Sequence, residues 1–206
     1  MEANFQRALA LVLKHEGGWS DHPSDPGGAT MKGVTLATYR AYINKNGTKD
    51  DLRNITQAQL EKVYREQYWN KVRGDDLPSG VDYAVFDFAV NSGPARAAKY
   101  LQAVVGVAQD GVIGPQTLAA VKAASASAVI DKLCDKRLAF LQGLKTWSTF
   151  GKGWGRRVAD VRSAAKSMVQ APNSDAPKAK PASSSLWQSI ITIILYIFDK
   201  LFRRAA

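Results

Sequence analysis

Two carboxyl groups and a hydroxyl lie close together near the amino terminus. Glu16 follows an apolar, helix-like segment, Asp25 comes nine residues later, and Thr30 comes five residues after Asp25. The prolines and glycines between them predict a loop. A protonated carboxyl, a carboxylate and a hydroxyl can protonate a leaving oxygen and orient an attacking water. Inverting glycoside hydrolases use such a pair of carboxyl groups, spaced roughly 6.5–9.5 Å apart so that the water fits between them.

The position of Glu16 supports the role of the acid. The apolar residues before it recur at helical spacing, and Gly17 and Gly18 predict the end of that first helix. A carboxyl at this end adds negative charge where the helix dipole is already negative, an arrangement that suits a proton donor. A solvated glutamate at a helix end is the alternative interpretation.

The stretch HEGGWSDHPSDPGGATMKGVT, residues 15–35, resembles the signature of the glycoside hydrolase family 108 lysozymes. The resemblance implies an endolysin-type N-acetylmuramidase that cleaves the β-1,4 bond between N-acetylmuramic acid and N-acetylglucosamine in peptidoglycan and so lyses bacterial cells. It also implies that Glu16 is the catalytic acid. The arrangement of Glu16, Asp25 and Thr30 is similar to that of the family 24 phage lysozymes, although the spacing from Asp25 to Thr30 is one residue shorter than in that pattern.

The second half of the chain resembles the peptidoglycan-binding region that follows this motif in family 108. Within it, DGVIGPQT, residues 110–117, is similar to a turn of peptidoglycan-binding modules, which implies substrate contacts for Asp110 and Thr117. Asp87 and Asn91 lie one helical turn apart in an apolar run and would share a face. We expect both to line the substrate cleft. For Asp110 and Thr117 the alternative is a connector between helices. For Asp87 and Asn91 it is a structural hydrogen bond.

The periodicity predicts a mainly α-helical protein. We expect a lysozyme-like helical domain with a small β-hairpin between Asp21 and Thr35, and we find no other segment with strand periodicity. The expected domains are a catalytic lobe at 1–80, a helical peptidoglycan-binding lobe at 81–170, a flexible linker at 171–185 and a membrane-interacting helix at 186–206. The linker is rich in proline, alanine, serine and lysine.

The chain carries a formal net charge of +10, which predicts an anionic partner. Nucleic acid, an anionic membrane and the bacterial cell wall all satisfy that condition. Basic residues crowd the last predicted helix, but no base-reading motif is present, so we expect no nucleic-acid partner. The spacing of His15, Asp21 and His22 matches no zinc motif, so we expect no metal and no cofactor. We also expect a monomer.

The segment 186–206 is predicted to bind the surface of an anionic membrane. Residues 186–198 carry no charge, but Asp199 and Lys200 shorten the apolar run below the ~20 residues of a comfortable spanning helix. An amphipathic helix at the membrane surface fits best, while a short spanning anchor and a helix docked on the core are the alternatives. The amino-terminal segment has Glu2 in place of a basic region, so we expect no cleavable signal peptide. The expected enzyme is made in the bacterial cytoplasm, acts in the periplasm and associates with the inner membrane.

Two other functions share much of this pattern. A lytic transglycosylase needs only one carboxyl, because a hydroxyl of the sugar attacks in place of water. A non-catalytic wall-binding adaptor would need none. The combination of Glu16, Asp25 and Thr30 favours the hydrolase over both.

Overall fold

A computed structural model describes residues 2–21 and 28–170 of the chain. As predicted, helices dominate this part. Asp25, His22, the linker and the predicted membrane helix lie outside the described residues. The helices are α1 (Glu2–Leu13), α2 (Leu36–Tyr42), α3 (Lys49–Arg53), α4 (Gln57–Tyr64), α5 (Val81–Ser92), α6 (Pro94–Val105), α7 (Pro115–Ala123), α8 (Ala126–Gln142) and α9 (Trp147–Gln170).

A three-stranded antiparallel sheet follows α1 and confirms the predicted hairpin. Its strands are β1 (Trp19–Ser20), β2 (Thr30–Met31) and β3 (Val34–Thr35), with β2 in the centre. Lys32 and Gly33, which join β2 to β3, both have positive φ angles, of 48° and 75°. Two left-handed residues give a tight turn whose twist matches that of the flanking strands. The strand β1 extends the sheet beyond the two strands of the predicted hairpin.

Threonine caps set the helix boundaries on the sheet side of the molecule. The hydroxyl of Thr35 accepts the backbone N–H of Thr38 at the start of α2. Thr48 and Asp51 form a capping box that begins α3. The sequence predicted one helix from Thr35 to Gly47, but α2 ends earlier, at Tyr42, and the capping box starts a separate short helix.

A π-helical segment, Arg65–Trp69, continues α4. The sequence predicted an uninterrupted α-helix here, since apolar side chains recur at the α-helical period. The wider turn shifts the direction of the side chains that follow it. Trp69 is fully buried, with its ring 5.3 Å from the rings of both Phe5 and Phe86, whereas Tyr68 stays partly exposed.

Helix α5 is the centre of the core. Every residue from Val81 to Ala89 is buried, and α5 contacts α1, α6, α8 and α9. A helix that is apolar all round is stable only when other elements surround it. The two aspartates of this run, Asp82 and Asp87, are therefore buried together with their apolar neighbours.

The glycines at 151, 153 and 155 predict that the last helix starts no earlier than Gly153, but α9 begins six residues before it, at Trp147. Glycines normally destabilise a helix interior by up to ~1 kcal/mol each. Here the ring of Trp147 packs against Gly151, where an added Cβ would lie 2.6 Å from the indole. This packing explains the longer helix.

The contacts group Met1–Gln170 into one compact unit. The division of that unit at residue 80 stays a prediction. Within residues 2–21 and 28–170, none of the helices is long and apolar enough to cross a membrane.

Candidate active site

Glu16 lies in the turn between α1 and β1, and its side chain faces α9. The Glu16 side chain is only 18% exposed. Arg157 of α9 donates a hydrogen bond from Nη1 to Glu16 Oε1 at 3.0 Å. The carboxyl is thus held in one orientation by a charged partner, which argues against a mobile, solvated glutamate.

Asp87 holds Arg157 from the opposite side. The guanidinium donates from Nη2 to Asp87 Oδ2 at 3.0 Å and from Nε to both carboxylate oxygens. Arg137 of α8 donates from Nη1 to Asp87 Oδ1 at 2.7 Å. The two acidic residues, Glu16 and Asp87, carry as much formal negative charge as the two basic residues, Arg137 and Arg157, carry positive charge. This network of four residues ties the end of α1 to α5, α8 and α9.

Burial and charge act in opposite directions on Asp87, which has no exposed surface. Burial alone would raise the pKa of its carboxyl, but Arg137 and Arg157 outweigh burial and hold that pKa below the ordinary value. The pKa of Arg157 is lowered by burial and raised more strongly by Asp87 and Glu16, so that it ends above the ordinary value. Asp87 and Arg157 therefore both stay ionised at neutral pH.

The hairpin turn contacts Glu16 on another side. A Cβ placed on Gly33 would lie 3.0 Å from Glu16 Oε2 and 2.5 Å from the hydroxyl of Tyr64. That hydroxyl donates a hydrogen bond to the carbonyl oxygen of Lys32 at 2.8 Å. Only glycine fits this position, because the φ of 75° and the lack of space both exclude a side chain.

Two tyrosines lie in the electrostatic field of Glu16. Burial raises the pKa of Tyr64 and of Tyr68, and the negative charge of Glu16 raises both further. The two phenols are therefore protonated at neutral pH and serve as hydrogen-bond donors. Tyr68 is partly exposed, so it can contact a bound ligand beside Glu16.

The comparisons with known proteins agree with this geometry. Residues 9–93 match the family described as Glycosyl hydrolase 108, and residues 96–159 match a predicted peptidoglycan domain. The solved structure of Brucella abortus SagA is 54% identical, with a TM-score of 0.74, and the match covers 83% of this chain and 98% of that chain. The chain belongs to the glycosyl hydrolase 108 family. A search of the curated proteins gives no match.

Membership in family 108 makes the chain a glycoside hydrolase, and the second match identifies peptidoglycan as its substrate class. The resemblance drawn from the sequence is thereby confirmed for both halves of the chain. The matched segments include Glu16, Asp87 and Arg157.

Thr30 lies on the central strand of the sheet in this family 108 enzyme. Its hydroxyl donates to the carbonyl oxygen of Gly28 at 3.1 Å, and its backbone lies opposite Ser20 and Thr35. The same hairpin brings Gly33 against Glu16, so the sheet connects the two candidate residues. Asp25 lies outside the described residues, and its role stays a prediction.

Asn91 and Asp87 share one face of α5 but differ in surroundings. Asn91 lines a pocket of about 450 Å³ together with His15 and Arg157, beside Glu16. Asp87 is 0% exposed and is fully engaged with two arginines. In this structure the carboxylate of Asp87 positions Arg157, and its expected contact with substrate stays a prediction.

Asp110 and Thr117 belong to a separate cluster centred on Gln102 of α6. The amide nitrogen of Gln102 donates to Asp110 Oδ1 at 2.7 Å and to Thr117 Oγ1 at 3.2 Å. Asp110 also accepts the backbone N–H of Val112, and Thr117 is only 3% exposed. Thr117 therefore helps to join α6 to α7, and its expected contact with substrate stays a prediction. Asp110 is exposed, and its contact with substrate stays a prediction.

Four residues of the site carried no sequence signal for that role: Arg157, Arg137, Tyr64 and Tyr68. Arg157 was visible only as one of several basic residues on a helix, a pattern typical of a solvated surface. It lies 141 positions from Glu16 in the chain, so no local spacing connects the two. The tyrosines carried only the apolar periodicity of α4.

Proposed function

We propose that the chain is an N-acetylmuramidase that hydrolyses the β-1,4 bond between N-acetylmuramic acid and N-acetylglucosamine, with Glu16 as the general acid. The observation that carries the proposal is the orientation of Glu16. Its carboxyl is largely buried, is fixed through Oε1 by Arg157, and lies against the hairpin turn at Gly33. Such a carboxyl can be presented to one bond of a bound glycan.

The two carboxyl oxygens of Glu16 have different partners. Oε1 accepts the hydrogen bond from Arg157, whereas Oε2 accepts none from the residues that the structure describes. Oε2 is therefore the oxygen available to carry the transferred proton. Substrate that fills the cleft expels water and strengthens each of these interactions.

The reaction follows from these assignments. Glu16 donates its proton to the glycosidic oxygen as the bond from that oxygen to the anomeric carbon breaks. A water attacks the anomeric carbon from the opposite face and gives its proton to Asp25, while Thr30 helps to orient that water. These roles give inversion at the anomeric carbon. Tyr68 donates a hydrogen bond to the bound sugar beside Glu16.

The experiment is the substitution Glu16→Gln, assayed on purified peptidoglycan by release of soluble fragments. A glutamine keeps the shape and still accepts a hydrogen bond from Arg157, but it has no acidic proton to donate. We expect a loss of about 10²–10⁴-fold, the usual contribution of a general acid. The matched control is Glu66→Gln, at an exposed glutamate of the π-helical segment. Near-normal hydrolysis by Glu16→Gln with an unchanged circular dichroism spectrum would overturn the proposal.

We further propose that the enzyme is a monomer that lyses bacterial cells from the periplasmic side and is held at the inner membrane by residues 186–206. The support is the amphipathic pattern of that segment and its two terminal arginines, which suit anionic lipid.

A further inference from the structure

The pocket beside Glu16 has a lining that the hydrolytic step does not use. Lys14 contributes from the end of α1, and the first half of α9 contributes Phe150, Trp154 and Arg156. Three of the lining residues are Lys or Arg, and none is acidic. Because Arg157 also lines the pocket, a ligand bound there lies next to the residue that holds Glu16.

The charge of this pocket is not balanced from within the described part of the chain. Glu16 and Asp87 neutralise Arg157. Lys14 and Arg156 are exposed and form no ion pair with residues in 2–21 or 28–170. The lining therefore presents two uncompensated positive charges, which favours an anionic ligand.

The same pocket offers an apolar surface. Phe150 is 53% exposed, unusually high for a large aromatic side chain. Its ring lies 5.5 Å from that of Trp154 at an angle of 32°, so the two form a shared surface. Between them in sequence, Gly153 has no atom within 4 Å of the position that a Cβ would occupy, which leaves this part of the pocket open.

Asn91 adds a hydrogen-bond donor. Its Oδ1 accepts a hydrogen bond from the Ser92 hydroxyl at 2.9 Å. Its Nδ2 has no partner among the residues that the structure describes, so it can donate to a carbonyl oxygen of a ligand. The pocket thus combines cations, an amide donor and an aromatic surface within reach of Glu16.

We propose that this pocket binds the peptide that branches from the muramic acid of peptidoglycan. Lys14 and Arg156 bind its carboxylates, Asn91 donates to a peptide carbonyl, and Phe150 and Trp154 contact its alanine methyl groups. The proposal rests on the proposed function, because the peptide is attached to the sugar next to the bond that is cleaved. A strand without the peptide carries one carboxylate on each muramic acid, whereas the peptide combines several carboxylates with amide carbonyls and alanine methyl groups.

Exposed aromatic and basic residues can also bind the surface of an anionic membrane. The pocket is concave and reaches Arg157, which holds the catalytic acid. A flat lipid surface would not fill it. These features favour an extension of the substrate over lipid.

The test compares two substrates, intact peptidoglycan and glycan strands from which an amidase has removed the peptides. The variants are Lys14→Gln combined with Arg156→Gln, and Gly153→Leu, which fills the pocket without removing a side chain. The matched control is Lys122→Gln combined with Lys136→Gln, which makes the same change in net charge at exposed positions on α7 and α8. The measured quantity is the kcat/KM for release of reducing ends.

We expect both pocket variants to lose at least about tenfold in kcat/KM on intact peptidoglycan, through KM. The double variant loses charge-assisted hydrogen bonds to the peptide, and Gly153→Leu occupies the space that the peptide needs. On peptide-free strands they should match the wild type. Equal rates of variants and wild type on intact peptidoglycan, or equal losses on both substrates, would overturn the peptide assignment. The peptide assignment would also be overturned if the double variant lost binding to anionic phospholipid vesicles while its rates on both substrates stayed unchanged. If the wild-type enzyme released reducing ends from neither substrate, the proposed hydrolysis itself would be wrong.

Discussion

Replacing Asp87 by asparagine tests the buried network that holds the catalytic carboxyl. The side chain keeps its shape but loses the charge that compensates Arg137 and Arg157. Arg137 is 2% exposed, and Asp87 is its only ion-pair partner among the described residues. Removing one partner of a buried ion pair costs about 3–5 kcal/mol. Arg157 keeps Glu16 as a partner, so most of this cost arises at Arg137.

That loss is a large share of the total stability, because the free energy of unfolding of a domain is only about 5–15 kcal/mol. For a domain of this size, 1 kcal/mol shifts the midpoint of thermal unfolding by about 2–4 °C, which gives a drop of roughly 6–20 °C. Urea unfolding followed by circular dichroism measures the free energy, and hydrolysis is assayed at a temperature where the variant is folded. We expect the folded variant to be less active, since Arg157 is no longer fixed against Glu16.

The pH dependence gives a second readout of the same substitution. The folded-state pKa of Asp87 is lowered, so its stabilising contribution is complete above the unfolded pKa of about 4 and is lost as the pH falls further. The difference between wild type and Asp87→Asn should therefore be largest near neutral pH and shrink in acid. The control is Asp160→Asn, at an exposed aspartate of α9. If Asp87→Asn unfolded within about 1 kcal/mol of the wild type and kept full activity, the positioning role would be refuted.

Two further substitutions follow from the structure, and one deletion follows from the sequence. Burial raises the pKa of Asp82 to about 6, so ionisation of this carboxyl destabilises the fold as the pH rises from 4 to 7. Over that range the stability of Asp82→Asn relative to wild type should increase by on the order of 3 kcal/mol, as measured by urea titrations. A difference that does not depend on pH would contradict this. Gly33→Ala should lower the free energy of unfolding by at least about 1–2 kcal/mol and remove most of the activity, because φ is positive at this position and the methyl group meets Tyr64 and Glu16. The control Gly18→Ala has open space around the added methyl group and should change both quantities little. Truncation before Leu186 should abolish flotation with anionic vesicles and leave hydrolysis of purified peptidoglycan unchanged. If the full-length protein failed to bind such vesicles at physiological salt, the role proposed for residues 186–206 would be wrong.

Local sequence signals predicted the framework of the fold. The spacing of Thr35 and Thr56 to the apolar run that follows each of them predicts helix caps, and both residues cap helices. Gly93 predicts the end of the buried helix α5, which ends there. These features depend on a few neighbouring residues, so the sequence alone contains them. The start of α9 was missed because its glycines predict a break, while the packing of Trp147 on Gly151 is a contact that overrides propensity.

The site was only partly predictable, for the same physical reason. Glu16 could be identified because its motif is contiguous. Its partner Arg157 and the further residues Asp87 and Arg137 come from three helices that only the tertiary fold brings together. The burial of Asp87 follows from its apolar run, but no local signal identifies its two arginine partners.

The central claim is that Glu16 protonates the glycosidic oxygen of peptidoglycan and that water completes the cleavage. Mass spectrometry of the fragments released from purified peptidoglycan by wild-type enzyme and by Glu16→Gln tests it most directly. We predict fragments that end in reducing N-acetylmuramic acid from the wild type, and a loss of about 10²–10⁴-fold in their yield from the variant. Fragments with 1,6-anhydro ends would contradict hydrolysis and identify a lytic transglycosylase, and undiminished yield from Glu16→Gln would contradict the role of Glu16.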